Sequence, residues 1–366
     1  MQGKNPHIII SGGGTGGHIF PAIAIGHAII EKLPQAEILF VGAEGKMEME
    51  KVPEAGFNII GLPVAGFQRR LTFKNLLFPF KLLLSMLKAL GVVNKFKPDV
   101  AVGVGGYASG PVLKAANWKG VKTVVQEQNS FAGVTNKILA KSASKICVAY
   151  EDMERFFPLE KIRLTGNPIR EQIRNITVDA SSAKRAFGLD VSKKVILIIG
   201  GSLGARTINN SIKGGLEKLQ ASGHQVLWQT GAFYYDDCLL AAQDFKDIHP
   251  VKFIKEMDKA YSSADLVVSR AGALSISELC VVGKPAILVP SPNVAEDHQT
   301  HNAMSLVDRE AAVLVRDADA ETELINRTLQ LLDSEAEMKR LGGNILKMAK
   351  PDAAQTIANE IIELLK

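Results

Sequence analysis

Near its N-terminus the chain reads His7-Ile8-Ile9-Ile10-Ser11-Gly12-Gly13-Gly14-Thr15-Gly16-Gly17-His18, an apolar run that leads into a glycine-rich turn and then a helical pattern. The arrangement recurs at mid-chain, where Val195–Ile199 precedes Gly200-Gly201-Ser202-Leu203-Gly204-Ala205-Arg206 and another helical pattern. A glycine turn between a buried strand and a helix lets backbone N–H groups approach an anion. Two such turns predict two nucleotide-binding domains that share one cleft.

Apolar runs alternate with helical patterns along the whole chain. Near-continuous Val and Ile runs are typical of parallel strands buried on both faces, so the alternation predicts doubly wound α/β sheets. The predicted strands are His7–Ile10, Ile38–Val41, Asn58–Leu62, Val100–Val104, Thr123–Gln126, Lys145–Ala149, Lys194–Ile199, Gln225–Gln229, Val251–Ile254, Leu266–Ser269, Ala286–Val289 and Ala312–Val315.

The length of 366 residues is enough for two domains, each with its own core. Turn-forming residues cluster at Gly166-Asn167-Pro168 between two periodic segments, which indicates a domain boundary there. We therefore predict an N-terminal domain over residues 1–168 and a C-terminal domain over residues 169–350. A last helix, over residues 351–366, is predicted to pack back on the first domain.

Composition excludes several classes of protein. Hydrophobic residues make up 46% and charged residues 22%, as in an ordinary folded protein. The net charge of +5 suits an anionic ligand or an anionic membrane surface but is too small to indicate nucleic acid. Three cysteines without CxxC spacing indicate neither a disulfide framework nor a metal site. With no signal peptide and no apolar segment of about 20 residues, the sequence predicts a cytoplasmic chain.

The first glycine turn fits G-x-G-x-x-G through Gly12, Gly14 and Gly17. This spacing is shared by dinucleotide, flavin and phosphate sites, and Glu44 after the second strand leaves an NAD-dependent oxidoreductase open. His18 lies at the N-terminus of the first helix, where the helix dipole disfavours the charged imidazolium, as a general base requires. The alternative for His18 is a helix-capping or solvent-facing histidine.

Two more polar or glycine-rich segments follow strands of the first half. Gly103–Pro111 is expected at the same sheet edge as the first turn, where the two would form a backbone-lined anion pocket, unless its glycines only make a packing turn. Glu127-Gln128-Asn129 offers amides that can bind sugar hydroxyls or an N-acetyl group, or it can simply cap a loop.

The second half has three comparable segments. Ser202 can offer a hydroxyl and a backbone N–H to a phosphate. Glu278 follows a strand and a glycine turn, where a carboxylate can accept both ribose hydroxyls or act only as a helix-dipole partner. His298 and His301 are a poor match to the zinc-binding motif H-E-x-x-H. The carboxylates of Asp317-Ala318-Asp319 are poorly placed to hold a metal ion beside a diphosphate. The sequence therefore predicts no metal and no other cofactor.

One segment combines bulky apolar residues with cations, a composition that suits the headgroup region of an anionic leaflet. The alternative is an amphipathic helix whose apolar side faces the core. The predicted membrane patch consists of Phe67, Arg69, Arg70, Phe73, Lys74 and Phe78.

Taken together, the ordered motifs resemble the MurG family of glycosyltransferases, and the resemblance spans nearly the whole chain. These motifs are Gly12–His18, Gly105–Tyr107 with Ser109–Pro111, Glu127–Asn129, Thr165–Arg170, Gly200–Arg206, Gly272–Glu278 and Asp297–Ala303.

The resemblance implies the GT-B fold, with two Rossmann-like domains and the active site in the cleft. It implies inverting, metal-independent transfer of N-acetylglucosamine from UDP-GlcNAc to the C4 hydroxyl of lipid I, the undecaprenyl-diphosphate-linked MurNAc-pentapeptide. The product would be lipid II for peptidoglycan. The enzyme would be a peripheral protein on the cytoplasmic face of the bacterial plasma membrane.

Site residues also follow from the resemblance, and His18, chosen for its place at the N-terminus of the first helix, is the candidate catalytic base. The implied donor-binding residues are Thr15, Gly16, Gly17, Asn129, Arg170, Ser202, Ile254, Ala273, Leu274, Ser275, Ile276, Ser277, Glu278 and Gln299. The implied acceptor-diphosphate residues are Gly13, Gly14, Gly105, Gly106 and Tyr107.

The chain departs from the family at two positions, with Gln126 in place of a usual histidine and Leu203 in place of a frequent glutamine. The alternatives that remain open are another GT-B nucleotide-sugar transferase, a non-hydrolysing UDP-GlcNAc epimerase and a non-catalytic sensor of UDP-GlcNAc.

Overall fold

The computed structural model describes residues 5–64 and 78–366. The chain divides into two compact units, one of residues 1–169 with 351–366 and the other of residues 170–350. The division after Ile169 lies one residue from the position that the Gly-Asn-Pro cluster indicates. The last helix belongs to the first unit.

Unit 1 contains a parallel sheet with seven strands among its described residues, in the order β3-β2-β1-β4-β5-β6-β7. The strands are β1 His7–Ser11, β2 Glu37–Ala43, β3 Asn58–Leu62, β4 Val100–Gly103, β5 Lys122–Glu127, β6 Lys145–Val148 and β7 Ile162–Leu164. The helices are α1 Gly16–Lys32, α2 Glu48–Glu54, α3 Phe78–Phe96, α4 Ser109–Trp118 and α5 Val134–Ala140, with 3-10 segments at Met153–Arg155 and Leu159–Lys161.

Unit 2 contains a six-stranded parallel sheet in the order β10-β9-β8-β11-β12-β13. The strands are β8 Val195–Ile199, β9 Gln225–Gln229, β10 Ile248–Val251, β11 Leu266–Ser269, β12 Ala286–Leu288 and β13 Val313–Leu314. The helices are α6 Glu171–Arg174, α7 Ala180–Ala186, α8 Arg206–Gly214, α9 Leu216–Ala221, α10 Tyr235–Ala242, α11 Met257–Ser263, α12 Ala273–Val282, α13 His298–Val307, α14 Ala320–Asp333 and α15 Glu335–Lys347. Two 3-10 segments lie at Ala295–Asp297 and Asp317–Asp319.

Apolar runs form the central strands because both faces of each sheet are covered. Successive residues of β1 alternate between two cores: Ile9 packs in one, and Ile8 and Ile10 pack in the other. All three side chains are fully buried. The continuous apolar pattern thus follows from burial on both faces.

The C-terminal helix, α16 (Ala353–Glu363), completes one of the two cores of unit 1. Its residues Ile357 and Ile361 are fully buried there. Lys145 at the start of β6 donates to Glu360 at 2.6 Å and to Glu363 at 2.5 Å. These ion pairs fix the helix against the strand.

The two largest differences from the predicted strands are at β10 and β7, and both strands lie at sheet edges. The run Val251–Ile254 was predicted as a strand, whereas β10 covers Ile248–Val251 and contains Pro250. Proline is tolerated on an edge strand because one side of that strand needs no ladder hydrogen bonds. The three-residue strand β7 was not predicted, since its run Ile162–Leu164 is too short to carry a pattern.

The topology of each sheet places a glycine turn at its switch point. β1 lies between β2 and β4, and β8 lies between β9 and β11. Ligands of open α/β sheets bind beyond the carboxyl ends of the strands where the strand order reverses. Both turns that dominate the sequence therefore follow the switch strands of their units.

The described helices, within residues 5–64 and 78–366, were compared with the requirements for a bilayer span. None combines the length and the apolar character that crossing a membrane requires.

Candidate active site

In unit 1 the two glycine-rich turns lie in contact. β1 and β4 pair in parallel with Ser11 opposite Gly103, so the turns leave the same edge of the sheet side by side. Gly106 has φ +85°, and a Cβ atom added there would overlap the backbone of Gly13. Only glycine allows so close an approach with this backbone conformation.

A buried carboxylate supports the first turn from behind. Glu48, the first residue of α2, is fully buried, with Oε2 accepting from the N–H of Gly14 at 2.9 Å and Oε1 from the N–H of Ala43 at 2.9 Å. The N–H of Gly14 thus serves Glu48 rather than a bound anion. Sequence reasoning missed Glu48, since it belongs to no motif and lies 34 residues from the turn.

His18 lies in the first turn of α1 and faces the junction of the two loops. Its Nδ1 is 3.2 Å from the carbonyl oxygen of Gly13 and 3.2 Å from Oγ1 of Thr15. When Nδ1 carries the proton and donates to Gly13, Nε2 has the lone pair that a general base needs. A Cβ built on Gly105 would lie 2.9 Å from Nε2, so the ring packs against the second loop.

The polar segment after β5 is organised by Glu127, which is 2% exposed. Its Oε1 accepts from the N–H of Asn129 at 3.0 Å and from Nδ2 of Asn129 at 3.2 Å. Its Oε2 accepts from the N–H of Gly133 at 3.1 Å and from Nδ2 of Asn136 at 2.8 Å. The side chain of Asn129, a predicted donor-sugar contact, is therefore oriented by a buried carboxylate.

Three buried amides form a network beside the second loop. Gln126 donates to Asn167 at 2.9 Å, and Asn167 donates to the carbonyl of Gln128 at 2.9 Å. Gln128 donates to Gln126 and, at 2.7 Å, to the carbonyl of Val104. Gln126, which replaces the histidine usual in the resembling family, thus has hydrogen-bond partners of its own here.

The other predicted residues of unit 1 lie at the rim of these loops. Thr15 and Gly17 are exposed, and Gly16 is half-buried at the start of α1. Tyr107 is 57% exposed and lies two residues before α4. The described part of unit 1 therefore brings together the residues predicted from the first two glycine-rich motifs.

In unit 2 the glycine turn packs against the end of β9. Gly204 has φ +77°, and a Cβ atom there would overlap the carbonyl oxygen of Thr230. Ser202 at the top of the turn is exposed, and Leu203 is 83% exposed. The turn thus presents the Ser202 hydroxyl to solvent.

Gln229 joins this turn to Ile254. The Nε2 of Gln229 donates to the carbonyl of Gly201 at 3.0 Å, and its Oε1 accepts from the N–H of Ile254 at 2.8 Å. The N–H of Ile254 is thus used within the fold. Sequence reasoning missed Gln229, although a polar residue at the carboxyl end of a buried strand is a usable signal.

Arg170 and Glu278, predicted to bind different parts of the donor, contact each other. Nε of Arg170 donates to Oε1 of Glu278 at 2.7 Å, and Nη2 donates to Oε2 at 2.6 Å. Glu278 is 2% exposed, and the hydroxyl of Tyr261 donates to its Oε2 at 3.2 Å. A guanidinium has five N–H donors, so the pair with Glu278 uses two of those of Arg170.

The remaining predicted residues of unit 2 lie in the first turns of two helices. Ala273, Leu274, Ser275, Ile276 and Ser277 begin α12 after Gly272, where the helix N-terminus favours negative charge. Gln299 lies in α13, and its Oε1 accepts from the N–H of Ser291 at 2.8 Å. This bond fixes the orientation of the Gln299 amide, with Nε2 as its donor group.

The carboxylates considered for a metal pair with arginines instead. Asp317 accepts from Arg270 at 2.5 Å, and Asp319 accepts from Arg316 at 2.5 Å. Across the part of the chain that the structure describes, no three His, Cys, Asp or Glu side chains are grouped so as to hold a metal ion.

The membrane-patch residues Phe67, Arg69, Arg70, Phe73 and Lys74 lie outside the described residues. Phe78 is the first residue of α3. Beyond it, this helix exposes Phe80 by 67%, Leu83 by 58%, Leu84 by 56% and Leu87 by 57%.

Both units of the chain match domains of one known glycosyltransferase family. The chain matches the glycosyltransferase family 28 N-terminal domain over residues 8–148 and the C-terminal domain of that family over residues 195–357. A Phocaeicola vulgatus protein is 56% identical over 364 residues, covering 99% of this chain and 97% of that protein. It is named UDP-N-acetylglucosamine--N-acetylmuramyl-(pentapeptide) pyrophosphoryl-undecaprenol N-acetylglucosamine transferase.

Solved structures agree with the fold. The crystal structure of Acinetobacter baumannii MurG superposes with a TM-score of 0.80 at 27% identity, covering 98% of this chain and 99% of that chain. A UDP-GlcNAc 2-epimerase from Neisseria meningitidis reaches a TM-score of 0.67 at 13% identity, covering 98% of this chain and 100% of the epimerase, a likeness of fold alone. The chain has the GT-B fold and belongs to glycosyltransferase family 28, as a member of the MurG family of N-acetylglucosamine transferases.

Proposed function

We propose that this chain transfers N-acetylglucosamine from UDP-GlcNAc to the C4 hydroxyl of undecaprenyl-diphosphate-linked MurNAc-pentapeptide, which converts lipid I into lipid II. The observation that carries the proposal is the 56% identity, over 99% of the chain, to a transferase named for these substrates. The UDP-GlcNAc 2-epimerase shares the fold at only 13% identity, which supports no likeness of activity.

His18 is proposed as the general base. The acceptor C4 oxygen attacks the anomeric carbon of the donor sugar, the bond from that carbon to the UDP oxygen breaks, and the configuration inverts. The hydroxyl proton goes to Nε2 of His18, while Nδ1–H donates to the carbonyl of Gly13 and holds the ring.

UDP leaves with its charge stabilised by groups of unit 2. The N-terminus of α12, the hydroxyl and N–H of Ser202, and the unpaired N–H groups of Arg170 suit a diphosphate. We propose that these groups carry the stabilisation without a metal or another cofactor. Ile254 accepts from uracil N3–H through its carbonyl, and Glu278 binds the ribose.

The loops of unit 1 are proposed to bind the sugar of the donor and the diphosphate of the acceptor. Thr15, Gly16, Gly17 and Asn129, together with Gln299, are proposed to bind the sugar. Gly13, Gly14, Gly105, Gly106 and Tyr107 are proposed to bind the acceptor diphosphate. The N–H of Gly14 already donates to Glu48. We therefore assign most of the contacts with the acceptor diphosphate to the second loop and the N-terminus of α4.

The decisive experiment measures transfer from UDP-GlcNAc to a lipid I analogue, with and without EDTA. We expect activity to persist in EDTA and His18→Ala to lower kcat by about 10²–10⁴-fold, the usual contribution of a general base. His27→Ala is the matched control, because His27 is an exposed residue of the same helix. Full activity of His18→Ala would remove His18 as the base, and loss of activity in EDTA would contradict metal-free transfer.

The chain is further proposed to lie on the cytoplasmic face of the plasma membrane as a peripheral protein. In the sequence the exposed apolar residues of α3 follow the predicted basic and aromatic patch. The side chains of Lys81 and Lys88 on the same helix are also exposed, and Lys88 pairs with Glu44 at 2.7 Å. An amphipathic surface of this composition binds anionic lipid headgroups and the adjoining acyl region.

Vesicle co-sedimentation tests this location. With phosphatidylglycerol vesicles we expect Leu83→Ser/Leu87→Ser to lower binding severalfold, since both side chains are more than half exposed on one helix. Leu240→Ser is the control, because Leu240 is 66% exposed on α10 of unit 2. Equal binding of the double variant and the wild type would contradict the proposed surface.

A further inference from the structure

The carboxylate of Glu278 is held by more donors than the proposed ribose contact alone would explain. Oε1 accepts from Nε of Arg170, while Oε2 accepts from both Nη2 of Arg170 and the hydroxyl of Tyr261. Glu278 is 2% exposed and Tyr261 is 1% exposed. Water therefore has little part in orienting this group.

The hydrogen-bond acceptor positions of the Glu278 carboxylate can be counted to find which one is open. Each carboxylate oxygen accepts about two hydrogen bonds. Arg170 and Tyr261 together fill Oε2, whereas Oε1 has one of its two positions occupied, by Arg170. The open position on Glu278 is thus on Oε1, in a direction that the other three bonds fix.

We propose that Tyr261 is a positioning residue for donor recognition: its hydroxyl, with Arg170, fills Oε2 of Glu278 so that Oε1 is presented to a ribose hydroxyl. This inference rests on the proposed ribose contact of Glu278. Tyr261 itself does not touch the substrate in this proposal, because it is a buried residue of α11 and its hydroxyl donates to Glu278.

The chemistry of Tyr261 suits this role. Burial, and then the adjacent Glu278 carboxylate, raises the pKa of Tyr261 well above its usual value. The phenol therefore remains protonated and acts as a donor throughout the working pH range. A phenylalanine ring fills nearly the same volume and removes only the donor, so the two contributions can be separated.

The experiment compares the binding of UDP with that of 2′-deoxyuridine 5′-diphosphate by calorimetry on the full chain. For the wild type we expect UDP to bind roughly tenfold more tightly, because a hydrogen bond to a charged group is lost with the 2′-hydroxyl. Tyr261→Phe should reduce this preference to about threefold or less and raise KM for UDP-GlcNAc, with kcat within about twofold of the wild-type value.

Three variants complete the design. Tyr235→Phe removes a phenol elsewhere in unit 2, where Lys252 lies over the ring, and should keep the preference. Incorporation of 3-fluorotyrosine at position 261 keeps a donor hydroxyl and should also keep it, which provides a folded variant if Tyr261→Phe fails to fold. Glu278→Gln should lower the preference, because it replaces the carboxylate that reads the ribose.

The outcomes separate the inference from the function on which it rests. An unchanged preference in Glu278→Gln would overturn the proposed ribose contact itself. A lowered preference in Glu278→Gln with the wild-type ratio in Tyr261→Phe would overturn only the role of Tyr261. A loss of preference in the fluorotyrosine protein would also overturn it, since the donor is still present.

Discussion

The turn after β1 and the turn after β8 follow the same sequence pattern, but side chains of different charge form hydrogen bonds with their backbones. In unit 1 the support is the buried carboxylate of Glu48, which accepts the N–H of Gly14. In unit 2 it is the neutral amide of Gln229, which donates to the carbonyl of Gly201. The first turn therefore has an N–H occupied by a negative charge, whereas the second has a carbonyl occupied by a neutral donor.

This difference bears on which anion each turn can hold. A buried carboxylate behind a loop repels a second anion in front of it and uses an N–H that would otherwise bind that anion. The amide behind the second turn brings no negative charge, although one N–H of that turn, that of Gly204, donates to the carbonyl of Gly201. On electrostatic grounds the proposed diphosphate contacts therefore suit the second turn better than the first.

The largest loss of stability is expected from a substitution that disrupts the second turn. Gly204→Ala places a Cβ against the carbonyl of Thr230 at φ +77°, and a backbone atom cannot move away. We expect a loss of about 3 kcal/mol or more in the stability of unit 2. Gly201→Ala, at φ +88° with open space around it, should cost only about 1–2 kcal/mol.

Calorimetry of the full chain measures both variants, and Gly13→Ala extends the comparison to unit 1. A Cβ on Gly13 would meet the carboxylate of Glu48, a side chain rather than backbone. We therefore expect Gly13→Ala to be milder than Gly204→Ala. Equal losses for Gly201→Ala and Gly204→Ala would mean that the backbone contact with Thr230 contributes nothing.

An intermediate effect is expected when the two supports are exchanged. Glu48→Gln turns one acceptor oxygen into a donor that faces an N–H, and Gln229→Glu turns a donor into an oxygen that faces the carbonyl of Gly201. Each change places two like groups, donor against donor or acceptor against acceptor, inside the fold and should cost about 1–3 kcal/mol.

Binding of UDP distinguishes the two exchanged variants. Since Gln229 also holds the N–H of Ile254, Gln229→Glu should weaken UDP binding, whereas Glu48→Gln should leave it within about twofold of wild type. UDP binding that is equally weakened by both would show that the two turns do not have separate ligands.

The smallest effect is a pH dependence of unit 2. Burial lowers the pKa of His224 and of His249 below the usual value of 6.5. A lowered histidine pKa means that the unfolded chain binds more protons, so stability is complete above pH 6.5 and falls as the pH drops below that value. His249→Gln should flatten this slope in thermal unfolding measured between pH 7.5 and 5. An unchanged slope in that variant would exclude His249 as the source.

The central strands were predictable because their burial leaves a local pattern. The predicted bounds of Gln225–Gln229 and Leu266–Ser269 are those of the structure. The edge strand Asn58–Leu62 was also predicted, but at two other sheet edges the pattern fails, since β10 tolerates Pro250 and β7 has only three residues. Packing at an edge imposes fewer constraints on sequence than packing in the centre.

The candidate site divides in the same way. His18 and Glu278 were predictable because each lies within a motif whose spacing is local. The residues that support the glycine turns and Glu278 were harder to predict. Glu48 and Tyr261 meet their partners only when separate segments fold together, and the signal for Gln229 was only its place at the end of a buried strand. A hydrogen bond between Glu48 and a residue 34 positions away leaves no trace in periodicity.

The placement of α16 has a consequence for the order in which the chain is made. Unit 1 is discontinuous, since residues 351–366 return to it after the whole of unit 2. During synthesis the positions of Ile357 and Ile361 in the first core stay unfilled until residues 351–366 leave the ribosome. Unit 2 is continuous and can close earlier. The part of the enzyme that is translated first is therefore the part that finishes folding last.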